Sequence, residues 1–328
     1  MDIFKRNFNK LAVVTIFTAL FIAGICTFQD YGISVDEKFQ RSNGFYWLNY
    51  LLNFTNLEDF KTQVFLKLST MQDFTLSDVK KYNFYGVLFD LPAAFIETIL
   101  DIKNSSDIYN LRHLLNFFYY FIGLIFFYKI LNRRFNNSSS LFGTLLFLIS
   151  PRIYGESFYN SKDIIFLSFL CIALFYSFKF LENKKTSNLI LFSFFTAACI
   201  QTRIIGIFLP MSFLVFYIFS IISNKKEIYF VPKYTLYIFL TIFFLFLFWP
   251  YLWENPIKNF LFILTNLSSI TPDLKVFFNG KYIDVNYMPF SYLPTWILAS
   301  SPFINSLLFL IGSYFMFTRL FKRLISFE

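Results

Sequence analysis

Three stretches of this chain, residues 11–28, 204–224 and 234–253, each run for 18 residues or more without an Asp, Glu, Lys or Arg. A hydrocarbon core about 30 Å thick is crossed by roughly 20 such residues in a helix. Inside it the backbone must satisfy its own polar groups, so only helices or closed barrels survive there. The stretches predict membrane-spanning helices. Composition excludes an ordinary soluble domain: 56% of the 328 residues are hydrophobic and only 15% are charged. Cys26, Cys171 and Cys199 all fall in apolar stretches. They offer neither a disulfide framework nor metal-ligand spacing. A single histidine, His113, excludes a His-rich zinc site. The charged start and apolar run at the N-terminus resemble a signal peptide. No small-residue cleavage site follows, so the run reads as a retained first span.

Charge placement predicts the orientation. The formal net charge is +9, and 15 of the 29 basic residues sit in five short segments. These are Lys5/Arg6/Lys10, Lys129/Arg133/Arg134, Lys179/Lys184/Lys185, Lys225/Lys226/Lys233 and Arg319/Lys322/Arg323. The positive-inside rule puts all five in the cytoplasm. Division of the basic charge among short interhelical segments argues against a nucleic-acid partner. The alternation gives about eight spans: 11–28, 114–131, 138–151, 164–181, 188–203, 204–223, 234–250 and 293–317. Both termini lie inside. The expected fold is an all-α polytopic membrane protein, a single domain over 1–328, with outer loops 29–113, 152–163 and 251–292. The first loop carries amphipathic runs, Phe45/Trp47/Leu48/Leu51/Leu52 and Val87/Leu88/Leu91/Phe95, suited to helices lying in the outer interface. No internal repeat is visible.

The outer loops gather the chemistry. Asp36 and Glu37 follow the first span closely. They are either ordinary solvated acids or hold a general base near the lipid head groups. Residues 150–163 pack Arg152, Glu156, Asn160, Lys162 and Asp163 between two spans, where a connector needs only a turn. Arg152 and Lys162 could hold a phosphate. The competing reading is that Lys162 snorkels and Asp163 caps a helix. Arg112 and His113 open the second span. Arg203 ends another, a costly place for a charge unless it is paired or wet. Trp249 and Trp253 suit an interfacial aromatic belt.

In this order, the segments resemble the membrane glycosyltransferases of the C-type fold, closest to the protein O-mannosyltransferase and aminoarabinose-transferase branch, family 39. The likeness runs through Asp36-Glu37, Tyr85–Asp90, Arg112–Asn116, Ser150–Asp163, Pro250–Trp253 and Met288–Tyr292. It implies inverting sugar transfer from a polyprenyl-phosphate-linked donor, with Asp36 matching the catalytic base beside Glu37. Arg152, Lys162 and Arg203, with Arg112 as a weaker candidate, would stabilise the leaving phosphate. Asn160 and Tyr292 are carried over as substrate-binding positions. Asp163 matches an acidic position that orients Lys162 or, with Asp36, helps bind a divalent metal such as Mg or Mn. Glu156 stands where relatives can carry a histidine. The acceptor is a glycolipid, a polysaccharide or a protein. The expected location is a bacterial inner membrane, with the active site facing outside. Members commonly have more spans, so the likeness implies a short or truncated member. A transporter or flippase for an anionic lipid, or a noncatalytic assembly subunit, would use the same basic and aromatic groups. A transporter would place its polar groups near the midplane, whereas these cluster toward one interface.

Overall fold

The computed structural model describes residues 2–71, 85–223, 231–266 and 275–325, with side chains described from residue 11 and excepting 223 and 322–325. Fourteen α-helices and one two-stranded hairpin occur among these residues. Helix α1 (Asp2–Thr27) leads into α2 (Val35–Leu52), α3 (Glu58–Ser69) and α4 (Asp90–Ile99). Then come α5 (Ser105–Leu131), α6 (Asn137–Leu148), α7 (Pro151–Tyr159), α8 (Asp163–Asn183) and α9 (Thr186–Thr202). After a 3-10 turn at Ile204–Ile207 come α10 (Phe208–Ser223), α11 (Val231–Leu247) and α12 (Pro256–Asn266). Strands β1 (Lys275–Phe278) and β2 (Lys281–Asp284) precede α13 (Tyr292–Ser300) and α14 (Phe303–Ile325). Five helical segments are long and apolar enough to cross a bilayer, and α9 and α11 are shorter apolar helices. The fold is that of an all-α polytopic membrane protein.

Local chemistry sets the boundaries. Glu37 Oε2 accepts the Ser34 N–H at 2.6 Å and fixes the start of α2. Asn104 caps α5 through the Ser106 N–H, and Asn136 caps α6 through the Ser139 N–H at 2.8 Å. The polar start of the expected third span is therefore a cap. That span is shorter than expected: α6 has 12 residues, about 18 Å of helix. Pro151 then opens a separate helix, since proline suits a first helical turn and not an interior. The final span is likewise broken, because Ser301 precedes Pro302 and takes an extended conformation.

Helix α8 packs between α5 and α9, and α9 packs on α11. Phe89, Ile165, Phe169, Ala198 and Cys199 form one buried cluster of this bundle. At one end, Arg133 pairs with Glu182, and the Lys233 ammonium donates to the Lys184 carbonyl. Three of the five basic segments thus meet at the same end. Lys225 and Lys226 lie outside the described residues, as do the side chains of Lys5, Arg6, Lys10, Lys322 and Arg323. Over the opposite end sits a small helical layer. Phe45, Leu48 and Leu52 of α2 bury against Val64 and Leu68 of α3 and Ala94 of α4. Of the apolar faces expected to rest on a membrane surface, Phe45, Leu48, Leu52 and Leu91 pack within this layer and Leu88 packs on the bundle, while Phe95 stays exposed.

Candidate active site

Asp36, Gln40 and Asn43 stand at i, i+4 and i+7 on one face of α2. Asp36 and Gln40 meet the α7–α8 turn, and Asn43 meets α4. The Asp36 carboxylate is largely exposed and lies 3.8 Å from Lys162 Nζ. Gln40 Oε1 accepts the Ser161 hydroxyl. Asn43 Nδ2 donates to Asp90 Oδ2 at 3.0 Å, and Arg112 Nη2 donates to Asp90 Oδ1 at 2.7 Å. The face thereby fastens α2 to the α7–α8 turn and to α4, and through Asp90 to α5. Asp36, 126 residues before Lys162, meets it in space.

The α7–α8 turn is organised by Asn160. Its Oδ1 accepts the backbone N–H groups of Lys162 at 3.2 Å and Asp163 at 2.9 Å. Its Nδ2 donates to Glu156 Oε2 and Asp163 Oδ2, both at 3.1 Å. Arg152 Nε donates to Glu156 Oε1 at 2.8 Å, and Arg203 Nη2 lies 2.6 Å from Asp163 Oδ1. A continuous polar chain therefore runs Arg152–Glu156–Asn160–Asp163–Arg203. The expected loop 152–163 is mostly helix α7, which puts Arg152 and Glu156 one turn apart on one face, with Asn160 just past its end. Tyr292 joins at the edge: its ring is 6.3 Å from Trp296, and the Arg152 guanidinium lies 5.5 Å over Trp296.

Two expected site residues are buried behind this surface. Glu37 is 2% exposed; besides capping α2, it lies 3.0 Å from His113 Nε2. Arg112 is also 2% exposed and is committed to Asp90, with its guanidinium 5.6 Å over Phe89. Neither faces open space where a phosphate could sit. The reason is that α5 begins at Ser105, two turns before the expected span, so Arg112 and His113 are interior helix positions. Burial pushes the Asp90 carboxyl above the usual Asp range, against the pull of Arg112, Asn43 and Lys162.

A cleft of about 260 Å³ opens here, lined by Ser34, Val35, Asp36, Gln40, Tyr159 and Asn160. Burial and the nearby Glu156 carboxylate raise the Tyr159 phenol above its ordinary value. A second cleft of about 380 Å³ is lined by apolar groups including Ile200, Ile207, Pro210, Leu245, Leu252 and Phe260. Arg203 falls in the chain between Ile200 and Ile207 of that lining. The donor set does not suit a divalent metal: Asp36 is faced by Lys162, and Asp163 by Arg203. Among the described residues no group of three or more His, Cys, Asp or Glu comes together, whereas Mg or Mn favours several oxygen ligands. Sequence reasoning missed Gln40 and Asn43, although their helical spacing from Asp36 was a usable signal.

The bundle and the polar cluster at one end define an integral membrane protein with a candidate catalytic face. Residues 91–253 match the family model described as dolichyl-phosphate-mannose-protein mannosyltransferase, a membrane glycosyltransferase family of the C-type fold. The likeness carried by the motifs is thus shown over those residues, and it supports a membrane glycosyltransferase. The match contains Arg112, Arg152, Asn160, Lys162, Asp163 and Arg203, while Asp36, Glu37 and Tyr292 lie outside it. No curated protein and no solved structure matches the chain.

Proposed function

We propose that the protein transfers a sugar from a polyprenyl-phosphate-linked donor to an acceptor hydroxyl, with inversion, at the extracytoplasmic face of the membrane. The observation that carries this reading is the meeting of Asp36 with Lys162, next to the Asp163–Arg203 pair. A base and two cations, contributed by distant parts of the chain, are joined through the Lys162-Asp163 turn. Asp36 takes the proton of the acceptor hydroxyl as its oxygen attacks the anomeric carbon. The bond from that carbon to the phosphate oxygen breaks, and the lipid phosphate departs as an anion. Such a leaving group needs cationic stabilisation more than an acid. Lys162 and Arg203 supply it, Asp163 orients Arg203, and Arg152 is the outlying cation. The apolar cleft lined by Ile200 and Ile207, which flank Arg203 in sequence, suits the prenyl chain, which has no polar group to satisfy. The meeting of basic segments at the opposite end supports an extracytoplasmic site. The acceptor is a hydroxyl of a glycolipid, polysaccharide or protein.

Lys162→Gln and Arg203→Gln are each expected to weaken binding of a polyprenyl phosphate by about ten- to a hundred-fold, the range of one lost charge-assisted hydrogen bond. Titration of the purified protein in nanodiscs measures this, and unchanged affinity in both variants removes the phosphate role. Deletion of the gene should leave one lipid-phosphate sugar in excess and strip the same sugar from one acceptor class. Lipid and glycan profiles identical to the parent strain would overturn the reading.

A further inference from the structure

We propose that Phe39 and Tyr85 are positioning residues that seat the Lys162 ammonium for an incoming lipid phosphate. The proposal rests on the phosphate role assigned to Lys162 above. Lys162 Nζ lies 4.2 Å from the Tyr85 ring centroid and 5.3 Å from that of Phe39. Both distances are within the reach of a cation–π contact. The rings meet edge to face at 6.2 Å, so they form two walls of one seat. Asp36 stands on a further side at 3.8 Å, and the Lys162 side chain is only 13% exposed. A lysine has a long flexible stem, and fixing it costs rotamer entropy. Here the cost is met before any ligand arrives, which is the physical meaning of preorganisation.

The backbone around Tyr85 is fixed independently of Lys162. The Gly86 N–H donates to the Gln201 carbonyl at 3.0 Å. A Cβ at position 86 would lie 2.5 Å from Gln201 Cβ, so only glycine allows this approach. Tyr85 is thereby tied to the last turn of α9, two residues before Arg203. One backbone contact registers the seat of Lys162 against the second phosphate-binding cation. Phe39 comes from the α2 helix that carries Asp36, three residues on. Aromatic faces link the lysine to the helix that carries the base, and the Gly86–Gln201 backbone bond links the seat to the arginine.

The test is binding of a polyprenyl monophosphate to the full chain in nanodiscs, at fixed salt, for Tyr85→Phe, Tyr85→Leu, Phe39→Leu and Lys162→Gln. The two leucine variants are repeated on the Lys162→Gln background. Tyr85→Phe keeps the ring and should bind like the parent. Tyr85→Leu and Phe39→Leu should lose about three- to thirty-fold, the worth of one partly desolvated cation–π contact. They should lose almost nothing further once Lys162 is gone. Equal losses on both backgrounds would make the rings ordinary packing and overturn the seat, as would undiminished binding in both leucine variants. If Lys162→Gln itself binds normally, the phosphate role of Lys162 fails first and the seat falls with it. These failures are told apart in the same titration.

Discussion

Asp36→Asn is expected to lower sugar transfer by about a hundred- to ten-thousand-fold, the range for loss of a positioned general base, with donor binding kept. The substitution is close to isosteric. Asp36 is exposed, with its carboxylate on Lys162 as its ion pair. The helix keeps its start through Glu37, whose carboxylate accepts the Ser34 N–H. Loss of one acid from the first turn costs only about 0.3–1 kcal/mol through the helix dipole. Expression and folding should therefore survive. Lys162, relieved of its carboxylate partner, should hold the donor phosphate at least as well as before. Single-turnover transfer from a preloaded lipid-linked sugar reads the chemical step alone. Full transfer by this variant would remove Asp36 as the base, and parallel loss of donor binding would make it a binding residue instead.

The sequence was informative where physics leaves few options. An uncharged stretch of membrane length has one stable outcome, and the spans at α1 and α10 and the shorter apolar helix α11 follow from it. The meeting of Asp36 with the Lys162 turn was legible through the order of motifs on one side of the predicted membrane. What escaped was the partnering of charges. Asp107, Arg112 and His113 make the start of α5 read as loop, because charge in a sequence looks like contact with water. In the fold, Arg112 is neutralised by Asp90 and His113 lies beside Glu37, so the helix carries both inward. Pairing of this kind depends on residues tens of positions apart, and spacing along the chain does not show it. The hairpin after α12 is a different case. Asn279 and Gly280 both sit at positive φ, 49° and 78°. Asn-Gly is the strongest short signal for such a turn, and it was there to be read.

Arg112→Met should destabilise the protein by about 3–5 kcal/mol, the cost of breaking one partner from a buried ion pair. Arg112 is 2% exposed, and its loss strands the Asp90 carboxylate with only the Asn43 amide as a direct partner. Burial already raises that carboxyl, and Arg112 is the strongest influence pulling it down. Without the guanidinium its folded value rises further above the unfolded one. The folded state then binds the extra proton, so stability falls as pH climbs from the ordinary Asp range, about 3.9, through the raised folded value. Melting in detergent should show a smaller deficit for Arg112→Met at pH 5 than at pH 8. The double variant Asp90→Asn with Arg112→Met should recover much of the loss, because no buried charge remains. A deficit independent of pH, or a double variant no better than the single one, would show that Arg112 acts by packing on Phe89 alone. The link to function passes through Asn43. Its amide hydrogen bond to Asp90 helps fix the α2 face that carries Asp36, and Arg112 holds Asp90 in place for it, so the single variant should also slow transfer, and the double variant should restore it only as far as the side chain at position 90 stays seated to accept from Asn43.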